Sequence, residues 1–183
     1  MLTSGKIEEI MLKLKEQDGL GCFYDFKEQF GISLKVFETL SLVKRIQRYV
    51  PDCEDHCIKY CDCPWIDHFY KRKSKTKYKW TKQGAQLAEE LSQKSLTAEK
   101  KKQLIRNMIQ DAELSDTIFS MLLAQKKQGI SLPNFINYLL SESDLGLKTI
   151  RIALRDILDL YCSLHLITID SGIILMNNVV FKQ

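Results

Sequence analysis

The chain has 183 residues, 45% of them hydrophobic and 27% charged, and a formal net charge of +4. That apolar share excludes a globally disordered polypeptide, and the length suits one medium domain or two small ones. So small a positive charge permits a nucleic-acid partner without requiring one, because the placement of charge matters more than its sum.

No apolar run is long enough to span a bilayer; the stretch from Leu164 to Leu175 is broken by His165, Thr168 and Asp170. The first residues, Met1 to Lys6, lead directly into an amphipathic segment with Glu8 and Glu9, unlike the apolar core of a secretory signal. The expected location is therefore intracellular: cytoplasmic, or nuclear in a eukaryote. The six cysteines would then be kept reduced, which argues against a disulfide framework.

In chain order, Ile7, Ile10, Met11 and Leu14 recur at helical spacing over residues 6–17, and Asp18-Gly19 stops that helix. A short segment from Phe23 to Phe30 ends at Gly31. A third segment opens at Ser33, a good N-cap, and carries Val36, Leu40, Val43 and Ile46 on one stripe until Pro51 closes it. Three short helices with tight turns, the third the longest, form the body of a helix-turn-helix domain. Tyr78 to Gly84 alternates as a strand and leads into a helix with Ala85, Leu87, Ala88 and Leu91 inward. Residues 92–102 are polar and Lys-rich, suiting a linker that Leu104 to Leu114 extends as a connecting helix. The second half then repeats the grammar. A helix over 116–127 ends at Gly129, and Pro133 opens a helix with Phe135, Ile136, Leu139 and Leu140. A longer helix, Lys148 to Ser163, buries Ile150, Ala153, Leu154, Ile157, Leu158 and Tyr161, and Leu166–Ile169 with Ile173–Met176 forms a hairpin around Asp170-Ser171-Gly172. The repeat is one of element order, with no copy at the level of residues.

The stretch YKWTKQGAQLAEEL, with Thr81, Gly84 and Leu87 in a Thr-x-x-Gly-x-x-Leu arrangement, resembles the closing strand and following helix of winged-helix regulators. The resemblance is of pattern, covers about the first half of the chain, and points to the superfamily without a particular family. It implies a mainly α fold with short β-hairpins, built as tandem winged helix-turn-helix modules. Residues 1–92 would form the first module, 93–114 the connecting segment and 115–183 the second module.

Two groups of residues carry possible chemistry. Cys53, Cys57, Cys61 and Cys63 fall within a few turns of chain, with His56 and His68 as alternate ligands; thiolates suit a structural zinc or an iron–sulfur cluster. Free thiols packed as small apolar groups are the plainer alternative, and Cys22 and Cys162 among apolar neighbours fit that description. Directly after the cluster come Lys71, Arg72, Lys73, Lys75, Lys77 and Lys79, at the place of a wing and its approach, where they would lie along phosphates. Lys35, Thr39, Lys44, Arg45 and Arg48 would add an outward face of the third helix. In the second module the equivalent helix offers Arg151, Ile152 and Arg155 beside Asp156 and Asp159, a mixture that suits a protein partner or a second copy better than a phosphate surface.

Nucleotide-binding, serine-hydrolase and zinc-peptidase motifs are all absent, and only three histidines exist, of which His165 sits between leucines as a packed residue. The sequence therefore points to a non-enzymatic, DNA-binding protein, possibly a transcriptional regulator, with a cysteine-held metal bracing its first module. A scaffold subunit that uses winged helices for protein contacts is the alternative.

Overall fold

The computed structural model describes residues 1–32, 34–47, 77–110, 112–125, 128–142 and 147–177. Thr3 opens helix α1 (Ser4–Glu16) by accepting the Lys6 amide at 3.3 Å, and Ile7, Ile10, Met11 and Leu14 are buried along one face as their spacing predicts. The helix closes in a Schellman turn: Asp18 adopts a φ of 52° and the Gly19 amide returns to the Leu14 carbonyl at 2.7 Å. Strand β1 (Leu20–Cys22) runs without a linker into α2 (Phe23–Phe30), and α3 (Leu34–Thr39) follows.

The expected long third helix is not formed. α3 ends at Thr39; beyond it Ser41 takes a φ of 58°, its amide bonds the Glu38 carbonyl at 3.1 Å, and the Leu42 amide bonds the Phe37 carbonyl at 2.9 Å. This is a second Schellman turn, without the glycine that usually marks one. Beyond it, Val43 to Gln47 form strand β2, so Lys44 and Arg45 lie on a strand and not on a helix. The helical stripe Val36-Leu40-Val43 misled because Val43, though buried, is buried as a strand residue.

The remaining elements are β3 (Lys77–Trp80), α4 (Lys82–Leu91), α5 (Ala98–Gln110), α6 (Glu113–Gln125), β4 (Ile130–Ser131), α7 (Leu132–Glu142), α8 (Leu147–Ser163), β5 (Ile167–Asp170) and β6 (Ile173–Met176). The described residues are thus mainly helical with two small antiparallel sheets, ordered β1-β3-β2 and β4-β6-β5. β1 and β4 escaped sequence reading because two or three residues show no alternation.

Each half follows the order helix, strand, helix, helix, strand, strand, with the third strand in the middle of its sheet. The correspondence extends to single bonds. His165, with a φ of 56°, ends α8 as Ser41 ends α3, and the Leu166 amide reaches the Tyr161 carbonyl at 2.9 Å. The Leu42 carbonyl accepts the Thr81 amide and the Leu166 carbonyl accepts the Asn177 amide, each at 3.0 Å. The Thr81 hydroxyl donates to the Ser41 carbonyl at 2.7 Å, as the Asn177 side-chain amide donates to the His165 carbonyl at 3.1 Å. His165 is exposed, so the expectation of a packed histidine is corrected: it serves through its backbone.

Thr81 also caps α4, accepting the Gly84 amide at 3.0 Å, and Gly84 lies so close to Leu42 that a Cβ would run into its carbonyl oxygen. With Leu87 fully buried, all three positions of the Thr-x-x-Gly-x-x-Leu pattern gain a physical reason.

One apolar cluster draws on both halves, with α8 packed against α3 and α5 against α1 and α4; Ile105 and Ile109 of α5 are buried in it. Inside the second half, the buried Ser115 hydroxyl donates to the Ile109 carbonyl and lies 2.6 Å from the Tyr161 hydroxyl. Since Ser115 has a single proton, Tyr161 is the donor between them. Its ring stacks on Phe119 at 5.5 Å, and burial pushes its pKa upward, so the phenol stays protonated.

Gly84→Ala should lower stability by about 3 kcal/mol, because the clash is with backbone rather than a movable side chain. Gly31→Ala, at a φ of 68° with open space around it, should cost only about 1 kcal/mol. Denaturant titration of the two variants checks the ranking. By the same measurement, Ser115→Ala should be the costlier change at the buried pair, at about 1–3 kcal/mol, because it orphans the Tyr161 hydroxyl. Tyr161→Phe should cost about 1 kcal/mol, since Ser115 keeps its own acceptor.

Candidate nucleic-acid interface

Strands β2 and β3 alternate. Val43 and Tyr78 are buried, while Lys44 and Lys79 are exposed. Register places Lys44 directly opposite Lys79, and cross-strand partners project from the same face of a sheet. Neither lysine has an ion-pair partner among the described residues. Two like charges directly opposite destabilise a sheet, so this pair works against the fold unless an anion neutralises it.

The second half provides an internal control. Thr168 pairs with Leu175 at the corresponding register position, two residues beyond the Schellman turn's leucine in each half. The architecture therefore does not demand lysine at these sites. The connections differ as well: residues 48–76 join β2 to β3, whereas only Ser171 and Gly172 join β5 to β6. Ser171 and Gly172 have φ values of 49° and 78°, the tight type I′ turn that fits the twist of a two-residue hairpin. The second hairpin, from Ile167 to Met176, contains no lysine or arginine.

Arg45, one step along β2, is drawn toward α3, where its guanidinium lies 3.5 Å from the Glu38 carboxylate. It is only partly exposed. On α3 itself, Lys35 and Thr39 are partly buried; the Thr39 hydroxyl donates to the Val36 carbonyl at 2.7 Å, and Lys35 is not free either. Leu34, Val36 and Phe37 are buried, and α8 lies against this short helix. The six-residue α3 thus presents no fully exposed side chain. The face of Lys35, Thr39, Lys44, Arg45 and Arg48 expected on one helix is divided instead, with only Lys44 exposed among the described members. Val43-Lys44-Arg45-Ile46 shows no apolar–polar alternation, so the sequence carried no local signal for the strand, and the helical stripe stood unopposed.

Lys77 belongs to β3 by its backbone, whereas Arg48, Lys71, Arg72, Lys73 and Lys75 lie outside the described residues. So do Cys53, Cys57, Cys61, Cys63, His56 and His68. Among the described residues no three His, Cys, Asp or Glu side chains come together to hold a metal ion.

On α8, Arg155 is exposed, and the backbones of Arg151 and Ile152 are helical while their side chains lie outside the described part. Asp156 is half-buried, not fully outward as its sequence position suggested. Burial holds its carboxyl above the ordinary value and Asp159 adds to this, while the Met1 amino group and Arg155 oppose it. Cys162 is partly buried against the core; burial and then Asp159 push its thiol pKa up, which disfavours the reactive thiolate.

No family model, curated protein or solved structure matches the chain. Among the described residues no helix is long and apolar enough to cross a membrane.

The raised Asp156 pKa sets a direction of pH dependence. An acid that folding makes harder to ionise costs stability as pH rises from the unfolded-state pKa through the folded one. Asp156→Asn should therefore raise the unfolding midpoint at pH 7, and the gain over the parent chain should vanish below the ordinary carboxylate range. Thermal melts at the two pH values measure it.

Proposed function

We propose that the chain is a tandem winged-helix protein that binds nucleic acid, double-stranded DNA in the first instance, through the β2–β3 side of its first module. The order helix, strand, helix, helix, strand, strand with the third strand central supports the winged-helix reading. The observation that carries the binding reading is the pair Lys44–Lys79, without an ion-pair partner among the described residues and set where the second module has Thr168 and Leu175. Phosphate oxygens would relieve the repulsion and release counterions as they bind. The strongly basic run from Lys71 to Lys79 leads in sequence directly into β3, so added cations would extend the same contact.

The cysteines of residues 53–63 fall in the sequence between β2 and β3, and we propose that Cys53, Cys57, Cys61 and Cys63 hold a zinc ion there, with an iron–sulfur cluster as the other occupant four thiolates suit. A second reading, a scaffold that binds proteins, is favoured by one observation: α8 covers α3, the helix a DNA-reading module would keep free.

Binding of a fluorescent DNA duplex as a function of salt separates the readings. The parent chain should bind with a steep salt dependence, and Lys44→Ala/Lys79→Ala should reduce that slope by about two. Absence of salt-sensitive binding by the parent chain would leave the scaffold reading standing. For the metal, protein purified without oxygen should carry about one zinc or one cluster per chain, and Cys57→Ser should lose it. Metal-free parent protein with every thiol titratable in the folded state would overturn that part.

A further inference from the structure

We infer that the chain, granted the nucleic-acid reading above, grips duplexes by their phosphates without reading base sequence. Recognition of sequence needs two things at once: backbone contacts that fix the protein's register, and free side chains that reach base edges in a groove. The two modules separate these requirements.

Among the described residues, the first module has the anchors and lacks a reader. Lys44 and Lys79 form an exposed cationic pair on the sheet. α3, which follows α2 and would enter the major groove, is six residues long and lies against α8. Its apolar residues are buried, Glu38 faces Arg45, the Thr39 hydroxyl is spent on the Val36 carbonyl, and Lys35 is engaged too. No side chain of α3 stands fully exposed to meet a base edge. Freeing α3 would require stripping α8 from it and opening the apolar cluster that holds Leu34, Val36 and Phe37. Opening that cluster would cost more than the discrimination a single base contact returns.

Among the described residues, the second module has a long helix and lacks anchors. α8 runs for 17 residues, and Arg155 on it is exposed, but Asp156 and Asp159 share its surroundings. The hairpin beside it contains no lysine or arginine, and its exposed turn carries Asp170. A carboxylate at that place repels the phosphates that would have to hold α8 in a groove.

Repeated selection from a randomised DNA duplex pool by the full chain tests this. The starting pool should bind with a salt-sensitive affinity, and the selected pool should bind within about twofold of it with no shared motif. Lys44→Ala/Lys79→Ala should weaken binding to every duplex by a similar factor, and Thr39→Val should leave the affinities unchanged. A selected motif bound more than roughly tenfold tighter than the starting pool would overturn the inference while leaving nucleic-acid binding intact. A starting pool that fails to bind would overturn both this and the function it rests on.

Discussion

The carbonyl oxygen of Leu42 is the joint on which the first half of the chain turns. It accepts the Thr81 amide, lies within 3.3 Å of the Thr81 hydroxyl, and is approached by the Cα of Gly84 without a side chain between. That one group ties the end of α3, the end of β3 and the start of α4 together. Once Ser41 has turned the chain into the left-handed region, β2 has one place to go and one register to take. Lys44 then faces Lys79 as a consequence. The second half solves the same problem with Leu166, His165 and Asn177, so the constraint belongs to the architecture and different residues can satisfy it.

This latitude gives the functional reading its force. Where the two halves must agree, they do so in geometry: a non-glycine residue in the left-handed region, a buried leucine after it, a polar side chain bonding back across the turn. Where they are free to differ, they differ in charge. Lys44 and Lys79 stand against Thr168 and Leu175, and the long connection of residues 48–76 stands against a two-residue turn. Under the proposed function, a like-charge pair that works against the sheet in one half, and that the other half does without, answers to an anion the sheet binds.

Much of the architecture was legible in the sequence. The buried stripes of α1, α4 and α8 and the Gly172 hairpin were visible as periodicity and turn chemistry, because burial of one face writes itself into residue spacing. The end of α3 was not, because its left-handed residue is Ser41 rather than glycine and Val43 fits a helical stripe by coincidence. Nor was the equivalence of Thr81 and Asn177, which do the same job with different atoms and leave no common letter. The candidate site suffered most from the first of these. Lys44 was foreseen as a basic group, but its partnership with Lys79 exists only in the strand register, which a helix assignment hides. The packing of α8 on α3 is a contact across more than a hundred residues, and nothing local announces it.

The account stands on phosphates meeting the strand pair and not the short helix. Titration of the isotopically labelled full chain with a DNA duplex, followed by NMR, addresses that directly. Signals of Lys44 and Lys79 should shift in a salt-sensitive manner while those of Lys35, Thr39 and the α8 face over them stay in place. Shifts concentrated in α3 and α8, with Lys44 and Lys79 unmoved, would contradict it.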